Sequence, residues 1–247
     1  MTRMNRELWI TLAAIAAVGV VFALWPGLDL AAARYFYGDA GFIGRGGLAR
    51  LGRDVFRVTP FVVLAAFIIA YLLARWGKQA EFRLGKSANP IGGGLARAIR
   101  WLRAHLRWAP NGRSVVFLIA TLAIGSGLIV NLGLKDHAHR PRPVHLVEFG
   151  GEMQFRPWYR FDGACETNCS FVSGEAASAF WMVAPAMLTP PPLRTAAVVG
   201  AFAFGVGASG LRLAFGGHFP SDVLLGGLIS LLVIFAARRL FWPKGGP

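Results

Sequence analysis

The sequence has few charged residues, and acidic residues are especially scarce. Only 15% of its 247 residues are charged, and 12 aspartates and glutamates stand against 26 lysines and arginines. A soluble domain of this size carries about 25% charged residues, so this composition argues against an ordinary soluble protein. The formal net charge of +14 is not gathered in a soluble basic domain, which argues against binding of nucleic acid.

Cysteine is nearly absent, since Cys165 and Cys169 are the only two. No further cysteine, and no histidine at ligand spacing, accompanies the pair, so a zinc site is not predicted. We expect a short-range disulfide if the surrounding loop faces an oxidising compartment. Two unpaired thiols remain the alternative.

Apolar residues are abundant and are gathered into long runs. They make up 55% of the chain, and the mean hydropathy is +0.51. Alternating segments of about ten residues, typical of an outer-membrane barrel, do not occur. The runs predict an all-α polytopic membrane protein, a single domain over 1–247 with six spans and both termini cytoplasmic. The predicted spans are 8–25, 55–76, 114–134, 175–188, 195–211 and 223–240.

The segment 75–113 is the most basic connection, with nine lysines and arginines against one acid, Glu81. Such residues concentrate in cytoplasmic loops and attract anionic lipids, so we expect this segment to contact the inner leaflet. Within 91–108 apolar and arginine residues each recur at a spacing of three to four, which predicts an amphipathic helix on the membrane. A soluble linker helix is the alternative. This orientation places the loop 135–170 and the stretch 211–222 outside.

The first polar cluster begins at the outer end of the third predicted span. Lys135 is followed seven residues later by Arg142 and Pro143. An ammonium and a guanidinium can clamp a tetrahedral anion, and the proline restricts the backbone beside the arginine. A lysine that merely extends to the membrane interface is the alternative.

The second cluster is Ser173-Gly174-Glu175, just before an apolar run. Ser173 is a typical helix N-cap, and Gly174 lets a ligand approach the backbone closely. A helix start of this kind can bind an anion. The alternative is an ordinary cap, with Glu175 complementing the helix dipole.

The third cluster is Arg212, His218 and Asp222, inside an otherwise apolar C-terminal third. Ionisable side chains are seldom kept in such a region without a function. Arg212 can bind a phosphate, and His218 is a candidate nucleophile or base. If the stretch is helical, a spacing of four places His218 and Asp222 within hydrogen-bonding reach. A structural histidine–acid pair is the alternative.

Together the patterns Lys-x6-Arg-Pro, Ser-Gly-x and Arg-x5-His-x3-Asp resemble the type 2 phosphatidic acid phosphatase family, the lipid phosphate phosphatases related to vanadium haloperoxidases. The resemblance implies a metal-independent phosphatase without a cofactor, with an external site and a phosphohistidine intermediate. It implies that His218 attacks phosphorus while Asp222 holds its ring. The phosphoryl oxygens would be bound by Lys135, Arg142, Ser173, Gly174 and Arg212.

The chain departs from the family pattern at three positions. Val172 stands where a proline is usual, Glu175 where a histidine is usual, and Leu211 where a serine is usual. That histidine is thought to protonate the leaving group, so Glu175 is the predicted general acid if burial raises its pKa. His137, His139 or water are alternative proton donors.

These features predict a bacterial inner-membrane enzyme that hydrolyses a lipid phosphomonoester or diphosphate on the periplasmic face. Undecaprenyl diphosphate, lipid A phosphate and phosphatidyl phosphates all present the same head-group chemistry. A lipid phosphotransferase using the same intermediate is one alternative. A non-catalytic lipid-phosphate binder or transporter is the other.

Overall fold

The structure, a computed structural model, describes residues 3–86, 90–105, 110–135 and 137–243. The last residues of the predicted amphipathic segment, 106–108, lie outside the described residues. Nine α-helices in these ranges are α1 (Arg3–Leu24), α2 (Gly27–Tyr35), α3 (Gly47–Gly85), α4 (Pro90–His105), α5 (Gly112–Leu122), α6 (Gly174–Phe180), α7 (Val183–Met187), α8 (Arg194–Ala214) and α9 (Pro220–Phe241).

Shorter elements connect these helices. α5 continues in wider π-helical turns over Ala123–Lys135. The strands β1 (Tyr37–Gly38) and β2 (Gly41–Phe42) form a small antiparallel pair in which Tyr37 faces Phe42. Turns of 3₁₀ helix occur at Ile43–Arg45, Pro143–His145 and Val147–Phe149.

The prediction of a mostly helical membrane protein is confirmed, whereas the count of six spans is not. Among the described residues, five helices are long and apolar enough to cross a membrane: Arg6–Leu24, Gly47–Gly77, Gly112–Lys135, Arg194–Ala214 and Pro220–Phe241. The predicted span 175–188 is instead divided into α6 and α7. These helices have seven and five residues, whereas a hydrocarbon core requires about 20.

The second predicted span differs in its start. α3 begins at Gly47 rather than near 55, so Pro60 lies inside the helix and not in its first turns. Because α3 begins earlier than predicted, Arg53 lies within this helix.

The chain forms two compact units, and the expectation of one domain over 1–247 stays a prediction. One unit is Phe61–Ile119, where Gly112 lies against the ring of Tyr71. The other unit is Met1–Pro60 with Ala120–Pro247. In this larger unit α9 packs on α1 and α6, and α6 packs on α8.

The ring of Phe180, at the end of α6, packs against two glycines of the longer helices. A Cβ atom at Gly205 of α8 or Gly227 of α9 would lie 2.8 or 2.5 Å from that ring. Only glycine permits this approach without a shift of backbone or ring. The contact therefore fixes α6 between α8 and α9, the two helices that carry the third cluster.

An apolar core lies beside the start of α9. It joins α2, the small strand pair and the turn after Pro143 to the start of α9, through Ala33, Phe42, Leu146, Phe149 and Phe219. Burial of this core against Phe219 brings α2, with Asp29, close to the site described below.

Candidate active site

His218 lies in the turn between α8 and α9 and is buried. Its Nδ1 is 2.7 Å from the carbonyl oxygen of Ser170. A carbonyl only accepts hydrogen bonds, so Nδ1 carries a hydrogen, and in the neutral ring Nε2 then keeps its lone pair. Burial lowers the pKa of His218 to about 4, against the opposing attraction of Asp222. The ring is therefore neutral at neutral pH, as a nucleophilic Nε2 requires.

Asp222 is close to His218 but does not hydrogen-bond to it. The distance from Nδ1 to Oδ2 is 3.8 Å. The helical spacing expected for the two residues fails because His218 precedes α9, which begins at Pro220. The Oδ2 atom accepts instead from Ser170 Oγ at 2.5 Å and from the Phe219 amide at 2.9 Å. The Ser170 carbonyl thus orients the ring, and Asp222 contributes its charge from a short distance.

Arg140 connects Asp222 to a second buried acid, Asp29. The arginine is wholly buried, and its Nη1 and Nη2 donate to Asp222 Oδ1 at 2.5 Å and Asp29 Oδ2 at 2.7 Å. Ser221 completes the group, since its amide and hydroxyl donate to the two oxygens of Asp29. The guanidinium also lies 4.4 Å from the ring centroid of Phe219. We call these four polar residues, Asp29, Arg140, Ser221 and Asp222, the buried network.

The sequence patterns do not predict the buried network, because the Lys-x6-Arg-Pro motif contains Lys135 and Arg142 but does not assign a role to Arg140. One available signal was Asp29, the only acid between Glu7 and Asp39 in a largely apolar stretch. A buried acid needs a cationic or hydrogen-bonding partner. No sequence pattern indicates which arginine that partner is.

Arg212 lies in the last turn of α8 and is buried. A Cβ atom at Gly217 would overlap its guanidinium, so the chain just before His218 must pass directly over this arginine. Its Nε lies 3.6 Å from Glu175 Oε2 and makes no hydrogen bond to a described residue. The structure therefore brings Arg212, Glu175 and the turn of His218 together.

Glu175 is held by an arginine that sequence patterns did not identify. Arg53 Nη2 donates to Glu175 Oε1 at 2.5 Å, and Arg53 Nε lies 3.2 and 3.1 Å from the two oxygens. Two neighbouring guanidiniums, of Arg53 and Arg212, favour the ionised carboxylate. The general-acid prediction required the opposite, a carboxyl group kept protonated by burial. That role for Glu175 therefore stays a prediction that its surroundings oppose.

Arg142 is held by the cysteine-containing loop. Its Nε and Nη2 donate to the carbonyl and side-chain oxygens of Asn168, at 2.9 and 2.8 Å. Asn168 has a left-handed φ of 52° and lies between Cys165 and Cys169, which form a disulfide. This loop sets the direction of the Arg142 side chain.

Ser173 is the N-cap of α6, as its position before the helix predicts. Its Oγ accepts from the Ala176 amide at 3.2 Å, and its own amide donates to the Asp222 carbonyl at 3.1 Å. The next residue, Gly174, is so close to Asn131 that a Cβ would lie 2.6 Å from Asn131 Oδ1. Ser173 is thereby placed at the start of α9, and Gly174 against the π-helical stretch. Lys135 is half-buried at the end of that stretch.

The alternative proton donors, His137 and His139, each hydrogen-bond through Nδ1 to a carbonyl oxygen. The distances are 3.0 Å to Gly133 and 2.9 Å to Cys165. Their Nε2 atoms are not used by these bonds.

Comparison with known proteins places these residues in a family. The family model described as the PAP2 superfamily matches residues 114–245, which include all three polar clusters. No solved structure matches the chain.

Several curated relatives are phosphatases. A lipid A 4'-phosphatase of Rhizobium etli is 35% identical over 235 residues, which cover 90% of this chain and 81% of that protein. A lipid A 4'-phosphatase of Rhizobium leguminosarum is 43% identical over 129 residues, but the match covers 52% of this chain and only 55% of that protein. Phosphatidylglycerophosphatase B of Escherichia coli is 25% identical over 201 residues, 70% of this chain and 79% of that protein.

These relatives support the prediction of a phosphoric ester hydrolase. The family model covers more than half of the chain, and the Rhizobium etli relative matches nearly all of it. The chain therefore belongs to the PAP2 superfamily, the type 2 phosphatidic acid phosphatases that its three motifs resemble.

Proposed function

We propose that this protein is a membrane phosphatase that hydrolyses a phosphate monoester on a lipid head group through a phosphohistidine on His218. The observation that carries the proposal is the state of His218. It is buried, and its Nδ1 donates to the Ser170 carbonyl. Burial lowers its pKa to about 4, so that at neutral pH Nε2 carries no proton. A protein that only bound a lipid phosphate would need the cations but not such a nucleophile.

In the first step Nε2 of His218 forms a bond to phosphorus as the bond from phosphorus to the lipid oxygen breaks. The leaving oxygen takes up a proton, for which water, His137 and His139 are the candidates. Negative charge spread over the equatorial oxygens is stabilised by the cations Lys135, Arg142 and Arg212. The ring becomes cationic with Nδ1 still protonated, a state that Asp222 at 3.8 Å and the Ser170 carbonyl stabilise.

In the second step water attacks phosphorus and the bond to Nε2 breaks. The water passes a proton to the group that protonated the leaving oxygen in the first step. Inorganic phosphate leaves, and His218 returns to its neutral state with Nε2 unprotonated. Asp222 keeps its position throughout because Arg140 holds its Oδ1, and Ser170 and the Phe219 amide hold its Oδ2.

The names of the relatives favour lipid A among the candidate substrates. Three of them, at 35% to 43% identity, are lipid A 4'-phosphatases, whereas phosphatidylglycerophosphatase B is 25% identical. We therefore propose a phosphate ester of lipid A as the substrate. The basic segment 75–113 supports placement in the inner membrane with the site on the periplasmic face.

The test is phosphate release by purified His218→Ala from lipid A, phosphatidic acid, phosphatidylglycerol phosphate and undecaprenyl diphosphate. We expect wild type to prefer lipid A, and His218→Ala to lose activity by on the order of 10³-fold or more. The matched control is His145→Ala, because His145 is an exposed histidine, and it should keep most of the activity. Retained turnover in folded His218→Ala would overturn the nucleophile, and release from phosphatidic acid alone would overturn the substrate.

A further inference from the structure

The carboxylate of Glu175 lies between two guanidiniums but is hydrogen-bonded to only one. Arg53 contacts it with both Nε and Nη2, the latter at 2.5 Å. Arg212 stops at 3.6 Å, and its buried Nε has no hydrogen bond to a described residue. Glu175 is therefore close enough to neutralise Arg212 and yet is kept away from it.

This arrangement requires a restraint, because the contact that is missing would be the stronger one. The side chain of Arg212 is 4% exposed, whereas that of Arg53 is 31% exposed. Charge-assisted hydrogen bonds strengthen as the surroundings lose water. An unrestrained carboxylate at this position would bond to Arg212 directly.

The position of Arg53 is set by packing rather than by Glu175 alone. Phe56, on the same helix, packs against Phe204 of α8, with 4.6 Å between ring centroids and the ring planes tilted by 57°. The guanidinium of Arg53 itself lies 5.6 Å from the ring centroid of Phe215, at the end of α8. Because α8 also carries Arg212, Arg53 and Arg212 are held on one scaffold with Glu175 between them.

We propose that Arg53 is a positioning residue that holds the Glu175 carboxylate away from Arg212, so that the Arg212 guanidinium stays available to a phosphoryl group. This inference rests on the proposed function, in which Arg212 binds phosphate. An acid in place of the histidine of the family pattern would otherwise compete with phosphate for that arginine. Arg53 contacts Glu175 with the Nε–Nη2 edge of its guanidinium, and it affects Arg212 only through the position of Glu175.

The test is a double-mutant cycle in the full-length protein, read by the dissociation constant of inorganic phosphate in titration calorimetry. In Arg53→Gln the freed carboxylate should bond to Arg212 and weaken phosphate binding by about tenfold or more, the scale of one charge-assisted hydrogen bond. Glu175→Gln should bind phosphate at least as tightly as wild type. The variant carrying both changes should bind within about threefold of Glu175→Gln, because the competitor is gone.

The matched control is Arg57→Gln. Arg57 lies one turn further along α3, is more than half exposed, and pairs with Asp54 at 3.2 Å. It changes the net charge equally and should alter the dissociation constant by less than about twofold. Arg53→Lys keeps the charge but not the two-point contact, so its dissociation constant for phosphate should lie between those of wild type and Arg53→Gln. If Arg53→Gln does not fold, Arg53→Lys takes its place in the cycle.

Three results would overturn the inference. The first is equal phosphate affinity in Arg53→Gln and Arg57→Gln. The second is no recovery of phosphate affinity when Glu175→Gln is added to Arg53→Gln. The third is no binding of phosphate by wild type. No recovery would mean that Arg53 contacts the anion itself or is only structural. Phosphate binding is measured without turnover, so a wild type that binds phosphate but hydrolyses no lipid phosphate would refute the proposed function and leave the inference standing.

Discussion

At the scale of single residues, Arg140 lies where two buried acids meet. One guanidinium serves both Asp29 and Asp222, and a third donor, Nε, binds the Arg156 carbonyl at 2.8 Å. Burial raises the pKa of Asp29, against the attraction of Arg140. Buried charges are tolerated when they are paired and hydrogen-bonded, and removing one partner is costly. Arg140 thus stabilises the fold and fixes the carboxylate beside His218.

Arg140→Ala leaves Asp29 and Asp222 without their shared cation. We expect it to lower the free energy of unfolding by about 3–5 kcal/mol, measured by thermal melting of the purified protein in detergent. The control is Arg142→Ala, since Arg142 contacts Asn168 near the surface, and it should cost about 1 kcal/mol or less. Equal melting temperatures for the two variants would show that the buried network is not a stabilising element.

At the scale of elements, the disulfide loop and Arg142 form one unit. Asn168 lies inside the ring closed by Cys165 and Cys169, and both of its oxygens receive hydrogen bonds from Arg142. The amide of Cys165 also donates to the His139 carbonyl, and that of Ser170 to the Arg140 carbonyl. The loop is therefore anchored next to the segment that supplies the arginines.

Opening the disulfide should release Asn168 and let Arg142 move. Reduction of the wild type is expected to raise KM for the lipid phosphate by about threefold to tenfold, the scale of one hydrogen bond to a charged group, with a smaller change in kcat. Steady-state assays with and without a thiol reductant measure this. The variant with both cysteines replaced by serine should show the raised KM and no response to reductant. An unchanged KM after verified reduction would contradict the prediction.

The division between α6 and α7 also belongs to this scale. Residues Ala176–Ala179 and Val183–Leu188 are mostly buried in the protein. Their apolar character therefore reflects packing between α8 and α9, whereas hydropathy alone interprets such a run as a membrane span.

At the scale of the whole molecule, charge asymmetry predicts its orientation. The loop 135–170 should face outward and the basic segment 75–113 inward, because lysine and arginine are retained on the cytoplasmic side. The described part of the larger unit places His218, Arg212 and the disulfide loop in one group, which requires that the site share the face of that loop.

Reporter cysteines test this orientation in a background with Cys165 and Cys169 replaced by serine. Tyr159→Cys, in the exposed part of the loop, should react with a membrane-impermeant maleimide in spheroplasts. Arg97→Cys, exposed in α4, should react only after the membrane is permeabilised. The reverse labelling pattern would place the site in the cytoplasm.

The sequence by itself determined the membrane class, the three polar clusters and the family. Long apolar runs and short fixed spacings are local properties, so they survive without knowledge of the fold. Candidates such as His218, Arg212 and Ser173 were accessible for this reason.

Only the tertiary structure decided which partners these residues have. Arg140 and Asp29 are 111 residues apart, Arg53 and Glu175 are 122 apart, and His218 is 48 residues from the carbonyl that orients it. No local period connects such positions, and several arginines compete for few acids. Packing of α2, α3 and α6 around α8 and α9 makes the choice, because buried charges must find the partners that the folded chain brings within reach.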